Sequence, residues 1–137
     1  MTPARKGAIR AADIPADVLH ALSRGQMQSA TLAECMALDQ AMLVRTVFPG
    51  LSASALKAVN VACALGVLKR MACIGAVLLD ELGTDGIAQC QSHAADTVRG
   101  WACFMIGAQP ALDLQARLTS IRPLADDVHF GVREWAW

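Results

Sequence analysis

Apolar residues recur along this chain at helical spacing, and no stretch shows the two-residue alternation of a strand. Val18, Leu19 and Leu22 form a stripe that opens near Pro15 and stops at Gly25, which predicts a short first helix. Thr31 and Glu34 stand at capping-box spacing. Leu32, Met36, Leu43 and Val47 lie near one face after them, so one helix is expected from Thr31 to the stop at Pro49. Ser52 or Ser54 caps a third helix reaching about Leu65. A fourth runs from Val67 to Leu82 and ends at Gly83, and Asp85 caps a short fifth through about Cys90. Asp96 is expected to cap a sixth, to about Ile106. Asp113 to Ile121 makes a seventh, ended by Pro123. An eighth begins near Gly131 and is still running at Trp137.

Composition supports an all-α chain. Of 137 residues, 55% are hydrophobic but only 4% are aromatic, and Tyr is absent. Ala and Leu favour helices, and the aromatic residues that favour strands are scarce. Twelve basic residues balance twelve acidic ones. A polyanion-binding module usually shows a basic excess, so the balance weighs modestly against nucleic acid. The five cysteines make no C-x-x-C pair, and no His stands at ligand spacing from them, so reduced thiols on apolar faces are expected and a metal site is not. The first twelve residues form a basic lead-in, expected to be flexible, with no apolar secretory core. Lys69 and Arg70 cut the most hydrophobic stretch, Ala58 to Leu82, into pieces too short for a bilayer. A soluble, cytoplasmic protein is expected.

Internal repetition is the most specific signal. Leu68-Lys69-Arg70-Met71-Ala72-Cys73 aligns with Val98-Arg99-Gly100-Trp101-Ala102-Cys103 and with Val132-Arg133-Glu134-Trp135-Ala136-Trp137. Each hexad reads apolar, basic, variable, large apolar, Ala, large apolar. A lone helix pair cannot bury its apolar face, whereas stacked pairs share a continuous core. Residues 13–137 are therefore expected to form one domain of HEAT-like repeats, a right-handed superhelical stack of antiparallel helix pairs. Lys69, Arg99 and Arg133 would then stand in a row. That row can be a ladder of ion pairs between units, with Asp96 bonding Arg99 and Asp127 bonding Arg133, or a ligand-facing row; the two are compatible.

The stretches Asp96-Thr97-Val98-Arg99-Gly100-Trp101-Ala102, Arg122 to Asp127 and His129 to Trp137 resemble the bacterial HEAT-like-repeat DNA alkylation repair proteins of the AlkC and AlkD group. So does the segment from Ile14 to Leu32. The resemblance implies an alkylpurine DNA glycosylase that holds duplex DNA on a basic concave face and excises N3- or N7-alkylated purines. A carboxylate and aromatic residues gather at the lesion's sugar, and no metal or cofactor is needed. Family members continue beyond the position matching Trp137, so the last repeat is read as incomplete and the chain as a truncated member.

On that reading Lys69, Arg70, Arg99 and Arg133 are the DNA-binding candidates. Glu134, Asp127, Trp101 and Trp135 are the catalytic ones, without one carboxylate singled out. Core packing is the competing role for both tryptophans, and capping or ladder formation for Asp96, Asp126 and Asp127. Alkylated double-stranded DNA is the expected partner of a monomer. The alternative is a non-catalytic HEAT scaffold that binds a protein.

Overall fold

A computed structural model describes residues 5–137, and every regular element among them is helical. A 3-10 turn, Ala11–Asp13, precedes α1 (Ala16–Ser23), α2 (Leu32–Ala37), α3 (Gln40–Val47) and α4 (Ala53–Ala62). α5 (Val67–Gln91), α6 (Asp96–Ala108), α7 (Leu114–Ala125) and α8 (Phe130–Ala136) follow. None of these helices is long and apolar enough to cross a membrane.

Local chemistry sets most of the boundaries. Ser52 caps α4 by accepting the Ala55 amide, and Asp113 caps α7 by accepting the Ala116 amide at 2.8 Å. Gly25 ends α1 with φ of 71°. Gly83 breaks α5 with φ of 63° and ψ of −158°, a conformation open to glycine, and the helix resumes directly after it. The expected stop at Gly83 is thus a kink.

Three expectations are corrected. The helix expected from Thr31 to Val47 is two helices, α2 and α3. Leu38 adopts an extended conformation, its side chain is buried, and Asp39 starts α3 afresh by accepting the Met42 amide at 3.0 Å. Pro123 does not end α7, which runs on to Ala125. Proline removes one amide donor, and its fixed φ is itself helical. Asp96 does not cap α6. Ala95 holds the cap position without a side-chain bond, and the Asp96 carboxylate reaches elsewhere.

The core forms around α6, which packs on α5 at one side and on α8 and α7 at the other. The three helices bearing the repeated hexads therefore neighbour one another in order. Met71, Ile74, Leu78, Val98, Trp101, Met105 and Val132 are fully buried between them. Gly75 lets α5 approach α6, because a Cβ there would lie 2.9 Å from the Phe104 Cβ. The expected basic lead-in spans residues 1–12, of which 1–4 lie outside the described residues. Of the rest, Arg5 is anchored: its guanidinium bonds both oxygens of the fully buried Glu34, at 2.6 and 2.7 Å.

Candidate functional site

Two features lie where the N-terminal helices meet the repeated ones: a buried polar network and an apolar cleft beside it.

Arg99 is the centre of the network. Its Nε and Nη2 donate to the two oxygens of Asp127, at 2.9 and 3.1 Å. Its Nη1 donates to the backbone oxygens of His93 and Ala94, and its Nη2 also donates to Gln28 Oε1 at 2.6 Å. A guanidinium carries five N–H groups, and all five are engaged here. Arg99 is only 9% exposed. Burial by itself would raise the Asp127 carboxyl. The Arg99 bonds, the His129 amide and the Arg99 charge outweigh it and hold Asp127 below its ordinary value.

Asp96 and His129 form the other half. Asp96 Oδ1 accepts the Ser29 amide at 3.0 Å, and Oδ2 lies 3.6 Å from Cys35 Sγ and 3.7 Å from His129 Nε2. His129 Nδ1 accepts the Gly131 amide at 3.0 Å and so caps α8. The ring proton therefore sits on Nε2, which donates to the Ser29 carbonyl at 2.6 Å. Cys35, Asp96 and His129 look like the parts of a nucleophilic site, but the geometry gives them no such role. Neither histidine nitrogen is left to accept a proton. Burial pushes the Cys35 thiol up to about 11, so it is not a thiolate near neutral pH. No cluster among the described residues could hold a metal ion.

The cleft, of about 340 Å³, is lined by Leu32 and Cys35 of α2, Val67 and Leu68 of α5, and Phe130, Gly131, Glu134 and Trp135 of α8. Glu134 is its one carboxylate. Trp135 is half-buried, stands edge-on to Phe104 with ring centroids 6.0 Å apart, and lies directly over Gly100. Its buried indole N–H has no hydrogen-bond partner among the described residues. An apolar, partly enclosed space with one acid and one indole on its lining has the chemistry that suits a flat cationic group.

The candidates divide accordingly. Glu134 and Trp135 come together in the cleft. Trp101 is fully buried in the core, where its indole nitrogen donates to Gln40 Oε1 at 3.0 Å. Asp127 and Arg99 are joined to each other. The expected ladder does not form: Asp96 does not bond Arg99, Arg133 reaches only the Asp127 backbone oxygen, and Arg99 pairs instead with Asp127 of the following loop. Lys69 and Arg133 are exposed, and Arg70 is half-buried with Nη2 on the Leu65 carbonyl. None of these three forms a salt bridge among the described residues. Sequence reasoning missed Gln28, Ser29 and Cys35 as network members, since their partners lie 61 or more residues away. Compared with protein-family models, with curated proteins and with solved structures, the chain returns no significant match.

Proposed function

We propose that the chain is a helical-repeat module of the DNA alkylation repair kind, with helix pairs stacked in a right-handed HEAT-like superhelix. It binds duplex DNA and meets an alkylated purine at the cleft between α2, α5 and α8. The observation that carries the reading is the pairing of Glu134 with Trp135 in one apolar cleft. The side-by-side order of the three hexad-bearing helices and the likeness of Phe130 to Trp137 support it. Lys69 and Arg133, exposed at equivalent hexad positions, supply phosphate contacts, with Arg70 beside them. Arg99 is excluded from that set, because its donors are already taken.

The chemistry follows from the lesion. An N3- or N7-alkylated purine is cationic and leaves readily, so the transition state carries positive charge on the sugar. A carboxylate at the mouth of the cleft, the exposed Glu134, stabilises that charge, and the indole of Trp135 adds to the effect. The expected result is release of free alkylated base from methylated duplex, lowered by Glu134→Gln, with duplex affinity falling steeply as salt rises. Absence of both base release and duplex binding at low salt would sink the proposal.

A second reading rests on a separate observation. Leu32 and Leu68 are 63% and 64% exposed at the cleft, beside the half-exposed Phe130. Such a rim fits a protein partner on a scaffold. Binding of a protein ligand that survives high salt, with no affinity for duplex, would favour it.

A further inference from the structure

The cleft has one wall that the repeats do not supply. Leu32 and Cys35 belong to α2, which packs chiefly on α1 and the 3-10 turn. What joins this wall to the opposite side is the polar network. We propose that Asp96 and His129 are positioning residues for the cleft: they clasp Ser29 and thereby hold α2 at a fixed distance from α8.

The clasp is two-sided. Asp96, on α6, takes the Ser29 amide, and His129, ahead of α8, gives its Nε2 proton to the Ser29 carbonyl. One residue of the α1–α2 loop is thus gripped through both its peptide groups by side chains 67 and 100 positions away. The Cys35 thiol, inside the wall itself, adds a bond to Asp96, and Gln28 adds one to Arg99. Ser29, Cys35 and Asp96 are all nearly inaccessible to water. Hydrogen bonds in such a setting are stronger and more exacting than at the surface. His129 also fixes the far wall, because its other nitrogen caps α8, where Phe130, Gly131, Glu134 and Trp135 begin. A single ring therefore sets both sides of the cleft.

The proposal rests on this cleft being the functional site, and two separate measurements test the two claims. In His129→Asn the shorter side chain can still cap α8 but cannot reach the Ser29 carbonyl. With 5-fluorotryptophan incorporated, the 19F resonance of Trp135 is expected to move and to become more responsive to solvent deuteration. The resonances of the core Trp101 and the exposed Trp137 stay in place. With methylated duplex as substrate, KM rises about three- to tenfold, the size expected for one lost hydrogen bond, while kcat holds. Asp96→Asn, which keeps an oxygen for the Ser29 amide, retains the wild-type Trp135 resonance, and Asp96→Ala loses it. An unchanged Trp135 resonance in His129→Asn overturns the clasp, whatever happens to its melting temperature. If the wild-type protein proves inert toward DNA, the functional reading fails, and the fluorine spectra still decide the clasp.

Discussion

The pairing of Arg5 with Glu34 makes acid stability depend on one side chain near the N-terminus. Glu34 is fully buried and receives both Arg5 Nη groups, the Ala30 amide at 2.6 Å and the Ala8 amide at 3.4 Å. The Arg5 hydrogen bonds contribute most, and with the amides and the Arg5 charge they overcome burial and lower the carboxyl from 4.5 to about 2. The folded value lies below the unfolded one, so the stabilisation is present above about pH 4.5 and is lost as pH falls toward 2. A drop from 4.5 to about 2 corresponds to about 3 kcal/mol. Arg5 is one-third exposed, and solvent screening trims this to about 2 kcal/mol. Arg5→Met keeps the aliphatic stem and removes the charge. It is expected to cost about 2 kcal/mol at pH 7 and to flatten the loss of stability between pH 4.5 and pH 2. Urea unfolding of both proteins at several pH values across that window measures both effects. Equal acid sensitivity in wild type and Arg5→Met would refute the assignment of this limb to Glu34.

Trp101→Ala empties a fully buried site and should destabilise by about 3–5 kcal/mol in urea unfolding. Trp101→Phe, which strands the Gln40 oxygen and leaves a smaller void, should cost about 1–3 kcal/mol. Gly100→Ala would place a Cβ 2.6 Å from Trp135 Cδ1 and 2.9 Å from Met71 Cε. The methionine can yield but the indole must move, so about 1–3 kcal/mol of lost stability should accompany a shift in Trp135 fluorescence. Cys73 is exposed, while burial pushes Cys90 and Cys103 up to about 12. A thiol reagent at pH 8 should therefore modify Cys73 quickly and reach Cys35, Cys90 and Cys103 only in denaturant.

Where boundaries depend on short-range chemistry, they can be read from the sequence. Ser52, Asp113 and Gly25 act on amides or dihedrals within their own turn, and the helix ends they set lie where the pattern puts them. Leu38-Asp39 was missed because its apolar neighbours keep helical spacing on both sides of the break. The signal that could have found it was Asp39, an N-cap residue amid an apolar run. Pro123 was overread, since proline only removes a donor. The site was less legible. Glu134 and Trp135 share a cleft because they are adjacent on one short helix, which a hexad alignment can suggest. The opposite wall comes from Leu32 and Cys35, about a hundred residues earlier, and no local pattern announces that pairing.

The repeated basic position shows why a register does not fix a role. Lys69, Arg99 and Arg133 occupy one place in the hexad, yet only Arg99 has a later unit's aspartate, a preceding loop's carbonyls and Gln28 all within reach. Three environments acting together turn a surface cation into an internal tie. The residues before Arg133 supply it only the Asp127 oxygen, and Lys69 bonds none of the described side chains. Their charges therefore face solvent. Any attraction of this electrically balanced chain for a polyanion has to arise from such local cations, so its salt dependence should follow Lys69 and Arg133 and be indifferent to Arg99. Substituting Arg99 should lower stability by about 3–5 kcal/mol, the cost of stranding a largely buried carboxylate. Substituting Lys69 or Arg133 should leave stability almost unchanged and reduce the slope of duplex affinity against salt by about one phosphate contact each. A salt slope that changes with Arg99 and not with the other two would show that the tie opens when DNA binds.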